Sequence, residues 1–411
     1  MISYEKFSLA NGLTIIHHFD GDTELAVLNI LYKVGARNES PAKTGFAHLF
    51  EHLMFGGSAN IPEYDTPLQM AGGENNAFTS NDITNYYLTL PAGNIETGFW
   101  LESDRMLQLD FSEKSLGVQR KVVCEEFKQR YLNQPYGDAW LKLRPLAYKQ
   151  HPYRWPTIGK ELSHIENATL ADVKDFFYKH YGPDNAIMVV AGNISLDRTK
   201  ALAEKWFGNI PNREIENTPL PPEPSQTEAR RETTTGPVPF PAIYKAYHIC
   251  KHTDDAYPAF DLLTDILSGG KSSRLFNALV KSDPVFSDIN AYLSGDDDAG
   301  LLVVEGYVTE GVLVDKAESS IDAFLISFLE KGITERELQK VKNKAESMYV
   351  FSNTGILNKA MNLAFAEFSG NVERANTDIE KYRAVTIENI MEAARQCLVD
   401  TNCSTLTYLP Q

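Results

Sequence analysis

"GFAHLFEHLMFGGS", Gly45 to Ser58, has a counterpart later in the chain, "YPAFDLLTDILSGG", Tyr257 to Gly270. Phe46, Leu49, Phe50 and Leu53 in the first stretch, and Phe260, Leu263, Ile266 and Leu267 in the second, recur at helical spacing, and both stretches run into a Gly-Gly pair. Each follows a strand-like run, "AVLNILYKVGA" or "AIYKAYHI". The two halves also close alike. "ATLADVKDFFYKHYGPDNAIMVVAG" reads as a helix started by Thr169 with Asp172 three residues on, then a strand after Asn185. "AVTIENIMEAARQCLVDTNCSTLTYL" repeats this with Thr386, Asn389 and a strand after Asn402. Strands in succession with helices in blocks, written twice, predict an α+β fold of two homologous domains, each a largely antiparallel sheet packed with helices. The proline- and threonine-rich "IENTPLPPEPSQTEARRETTTG" divides them, giving an N-terminal domain over 1–214, a linker over 215–236 and a C-terminal domain over 237–411.

The chain has 411 residues, more than one hydrophobic core usually serves. A composition of 43% hydrophobic and 23% charged residues is that of an ordinary globular protein, and the net charge of -16 disfavours nucleic acid and anionic membranes as partners. No apolar run approaches the roughly 18 residues of a membrane span. The opening "MISYEKFSLANGLTII" lacks a basic segment followed by a long apolar one, which predicts a cytoplasmic chain, or a periplasmic one had a leader been removed. Cys124, Cys250, Cys397 and Cys403 have no C-x-x-C spacing and read as buried thiols of a reducing compartment.

Laying Gly56-Gly57 on Gly269-Gly270 sets His48 against Asp261, Glu51 against Thr264 and His52 against Asp265. Packing alone does not require two imidazoles and a carboxylate in one of two similar helices. Residues four apart share a helix face, so His48 and His52 can present ring nitrogens to a common zinc ion, and Glu51 is placed to take a proton from water there. A third protein ligand is needed. His17 and His18 follow a strand, and His151, His164, His180, His248 and His252 are scattered and read as surface or loop residues. The helical "SLGVQRKVVCEEFKQRYLNQ", with Val118, Val122, Val123, Phe127 and Tyr131 expected to face the core, offers Glu125 or Glu126.

"HLFEH" with "VVCEEF" some seventy residues on resembles the insulinase/pitrilysin metallopeptidases, inverted zincins with H-x-x-E-H. The likeness extends through "NNAFTSNDITNYYLTLP", "HPYRWPTIG", "AIMVVAGNI" and "LSGGKSSRLF", essentially the whole chain. It implies a zinc endopeptidase with His48, His52 and Glu126 as ligands and Glu51 as general base. It also implies that Asn76, Ala77 and Phe78 hold a peptide substrate by strand addition. The length is that of the half-size, two-domain bacterial type similar to mitochondrial processing peptidase subunits, each forming half of a clamshell around a peptide chamber.

Two departures stand out. Many members carry a glutamate seven residues before the ligand glutamate, where this chain has Gln119. Active members usually carry an arginine and a tyrosine at the places of Val280 and Ser287, with Phe286 beside them. These contact substrate and the developing oxyanion, and losing one such donor costs about a hundredfold or more in rate. The resemblance therefore implies a dimer, with a paralogous subunit supplying the pair, or a homodimer. The rival reading is a non-catalytic peptide-binding or assembly subunit of the same fold. "SGGKSS" is not a phosphate loop, because position 265 is Asp where that motif needs glycine.

Overall fold

A computed structural model describes residues 1–215, 219–295 and 297–411. The chain forms two compact units. The first comprises Met1–Lys128, Trp155–Leu220 and Val350–Thr377; the second comprises Gln129–Arg154, Pro221–Tyr349 and Asp378–Gln411.

The first unit contains strands β1 (Glu5–Ser8), β2 (Thr14–Phe19), β3 (Leu25–Tyr32), β4 (Glu74–Thr79), β5 (Thr84–Pro91) and β6 (Ala186–Gly192), in the sheet order β1-β2-β6-β3-β5-β4. The second contains β7 (Arg230–Gly236), β8 (Ala242–His248), β9 (Phe286–Ser294), β10 (Leu301–Val308) and β11 (Cys403–Pro410), in the order β7-β11-β8-β10-β9. Apart from β1 the orders are the same, with β7 for β2, β11 for β6 and so on. The parallel pair falls in the same place in each, β2 with β6 and β7 with β11, and the other pairings are antiparallel. The repeat read from sequence is therefore a repeat of topology, and the fold is α+β.

Both units draw on both halves of the sequence. In the first, the Ile356–Phe368 helix buries Ala360, Leu363 and Ala364 against Val27 and Leu31 of β3 and Val189 and Ala191 of β6. In the second, the Ala139–Ala147 helix packs Leu143 and Leu146 with Tyr244 of β8 and Leu406 of β11. Central strands such as β6, buried along its whole length, need cover on both faces, and these helices provide it.

Of the stretch 215–236 expected as linker, residues 216–218 lie outside the described residues. Arg230–Gly236 differs from that expectation by forming β7, since three successive threonines favour an extended edge strand beside β11.

Candidate metal centre

The Phe46–Leu53 helix buries Phe46, Ala47, Leu49, Phe50 and Leu53, which turns His48, Glu51 and His52 to its half-exposed face. It ends three residues before Gly56. Gly57 adopts φ +102° there, and a side chain on it would meet the Pro62 carbonyl oxygen at 2.8 Å, so the turn away from the helix requires glycine.

The Glu113–Phe127 helix, capped by the Ser112 hydroxyl, brings up the acid. Glu126 Oε2 lies 3.5 Å from His48 Nε2 and 3.4 Å from His52 Nε2, and the two imidazole rings stand at 88° with centroids 4.9 Å apart. Bonds of 2.0–2.1 Å to one tetrahedral ion put ligand atoms about 3.3 Å from each other. Both histidine–carboxylate distances match that edge. Among the described residues this is the one group of three or more His, Cys, Asp or Glu side chains close enough to share an ion. Glu125, the alternative from sequence, points outward and pairs with Lys128 at 2.8 Å.

Glu51 stands off this triad. Its Oε2 accepts from the Thr79 hydroxyl at 2.6 Å, a partner that the one-dimensional reading did not single out. Thr79 ends β4, the outer strand of its sheet, which also carries Asn76, Ala77 and Phe78. There the Ala77 amide donates to Asn76 Oδ1 at 2.8 Å, and Phe78 packs its ring 6.2 Å from that of Phe365. An open cleft of ≈ 830 Å³ runs beside the ligand helices, lined in part by Gly56, Tyr64, Ser115, Val118 and Gln119.

Several side chains lie elsewhere than expected. Val118 and Val122 are 51% and 44% exposed, while Leu116, Val123, Cys124 and Phe127 form the buried face. Valines four apart mimic a core stripe, but here they share the face that presents Glu126. His151 is buried, not a surface residue, with Nε2 3.2 Å from Asp298; His17 and His18 lie buried within β2 instead of after a strand, and His17 Nε2 bonds the Ile194 carbonyl. In the second unit Phe286 is buried, Val280 packs on the core and Ser287 donates to the Tyr307 carbonyl.

Residues 18–154 match the family described as "Insulinase (Peptidase family M16)", and residues 167–345 match "Peptidase M16 inactive domain". The chain is 30% identical over 417 residues to the zinc protease PqqE of Helicobacter pylori, covering 99% of this chain and 93% of that protein. It is 24% identical over 401 residues to an uncharacterized zinc protease, YmxG, of Bacillus subtilis, covering 96% of each. The crystal structure of a protease from Helicobacter pylori superposes with a TM-score of 0.93 at 27% identity, covering all of both chains. No helix among the described residues is long and apolar enough to cross a membrane.

Proposed function

Because the chain belongs to the insulinase (M16) family of peptidases, we propose that it is a zinc-dependent endopeptidase acting on peptides or unfolded polypeptides held as an added strand. His48, His52 and Glu126 hold the ion and Glu51 is the general base. The reading rests on the two histidine nitrogens standing a tetrahedral edge from one carboxylate oxygen. Zinc bound there acts as a Lewis acid and lowers the pKa of water towards about 7.

The chain's own residues do the rest. Main-chain groups of Asn76, Ala77 and Phe78 on β4 align the peptide, fixing its carbonyl carbon relative to the attacking water. Glu51 takes the proton of that water as the new C–O bond forms, then passes a proton to the departing amine as the C–N bond breaks. The Thr79 hydroxyl donates to Oε2 and orients the carboxylate. Gln119, two turns before Glu126 and lining the same cleft, replaces the family's usual glutamate and so alters how the ligand is positioned without abolishing metal binding. The unbridged cysteines suit a cytoplasmic setting.

Val280 and Ser287 stand where active relatives carry arginine and tyrosine. We assign the chain the metal-bearing place in a dimer whose paralogous partner supplies that pair, in preference to a homodimer. The same gap favours the second reading, a peptide-binding subunit without catalysis.

The test is metal content of the purified chain, then Glu51→Gln, which should retain zinc and stop cleavage of a fluorogenic peptide. Full activity of the chain alone rejects complementation. Wild-type protein that holds metal yet cleaves nothing even with its paralogue rejects the peptidase.

A further inference from the structure

The ligand helix has only eight residues, shorter than the roughly 12–15 an isolated helix needs to be marginally stable. Its N-cap position is Gly45, with φ +86° and no side chain to accept from the first amides. Nor can this glycine be exchanged for serine or aspartate, because an added Cβ would come within 2.6 Å of the Ile158 carbonyl oxygen. Capping must come from elsewhere.

It comes from Glu39, only 6% exposed. Its Oε2 accepts from the Gly45 amide at 2.8 Å and its Oε1 from the Ala47 amide at 2.9 Å. Nearby the Trp155 indole Nε1 donates to the Ala36 carbonyl at 2.9 Å. Thr44, fully buried, is pinned beside them: its amide donates to His164 Nδ1 at 3.1 Å and its hydroxyl accepts from the Lys160 amide at 2.9 Å. Burial pushes the Glu39 carboxyl up to about 8, against the pull of its N–H donors. A site that costly to charge is poor material for mere solubility. The corresponding helix of the second unit, Tyr257–Ser268, runs twelve residues and begins with Pro258 in its first turn.

We propose that Glu39 is a positioning residue of the metal centre: it grips the first amides of the Phe46–Leu53 helix and so fixes the rotation and register that carry His48 and His52 to Glu126. Both histidines lie within about two turns of the gripped amides, His48 the nearer, so a released N-terminus misplaces His48 first. This rests on the zinc-site reading above.

Zinc affinity of the full chain, measured by competition with a chromogenic chelator, should fall about 10- to 100-fold in Glu39→Ala, the range seen when supports of metal ligands are removed. Glu39→Gln, which keeps one acceptor and aims a donor at the other amide, should fall between Glu39→Ala and wild type. Cobalt(II) in place of zinc should show altered visible bands in both variants, a change that lowered stability alone does not produce. Amide hydrogen exchange on wild-type protein needs no variant to fold: Gly45 and Ala47 should exchange slowly. Wild-type affinity and unchanged cobalt spectra in both variants, or rapid exchange at those two amides, overturn the proposal. Wild-type protein that binds no zinc overturns the site itself, a separate outcome.

Discussion

The two topologically matched units solve the same local problem in opposite ways. Each places a pair of potential ligands four residues apart on the helix before its Gly-Gly pair. In the first unit these are His48 and His52, converging on Glu126 from the neighbouring helix. In the second they are Asp261 and Asp265, and the partners are already covalent parts of the chain: Lys344 Nζ lies 2.6 Å from Asp265 Oδ1, and the Tyr382 hydroxyl donates to Asp261 Oδ2 at 2.8 Å. An ammonium on a tether fills the role that a free cation would otherwise have to fill. Two imidazoles and one carboxylate suit a borderline-soft ion such as zinc, whereas two carboxylates close to a lysine are internally compensated. One framework thus yields a site that invites a metal and another that needs none.

The largest break in this contrast comes from His48→Ala or His52→Ala, which should lower zinc affinity by about three orders of magnitude, whereas Asp261→Ala with Asp265→Ala should leave one equivalent bound. Elemental analysis after dialysis decides it, and a chelator should strip the first unit's ion without unfolding the second.

Acid should next separate one partly buried histidine of the first unit from one ion pair of the second. Burial lowers the pKa of His180, in the first unit, from 6.5 to about 4. The unfolded chain therefore binds the proton first, and the stability His180 contributes is full above pH 6.5 and lost as pH falls to 4, on the order of 2–3 kcal/mol. In the second unit Arg274 holds the Glu337 carboxyl down at about 2, so its contribution, about 2 kcal/mol, persists until pH drops below 4.5. Exchange mapping at pH 5 should find the helix around His180 loosened and the Arg274–Glu337 contact intact; the reverse order contradicts these assignments. His180→Phe should flatten the higher-pH transition.

A smaller effect is expected at Thr79→Val. Losing the hydroxyl that orients Glu51 should lower kcat about tenfold while metal content stays the same. The smallest is Lys344→Met, where a half-exposed ion pair is worth about 0.5 kcal/mol, read as a slight fall in melting temperature.

What was legible in one dimension follows a physical rule. His48, Glu51 and His52 were readable because their placement is set by one helix's own period, and the duplicated topology because capping residues and apolar spacing repeat. The choice of Glu126 over Glu125 came from likeness to the family, since adjacent acids differ only in helix phase. Val118 and Val122 misled on that phase. Thr79 and Glu39 could not be found by spacing, because their contacts join residues 28 and 6–8 positions apart across different elements. The exchange of helices between halves was hidden for a related reason: Ala139–Ala147 and Ile356–Phe368 are ordinary amphipathic segments, and nothing in their pattern says which sheet they cover.

That exchange has a consequence for how the protein is made. The sheet of the first unit is complete once Gly192 has left the ribosome, yet one of its faces stays bare until the Ile356–Phe368 helix follows. At about 5–20 residues per second the nascent chain carries that sticky surface for roughly ten to thirty seconds. A chaperone that shields it during this interval, or a pause in translation that lengthens it, would alter the yield of folded protein without touching a single atom of His48, His52 or Glu126.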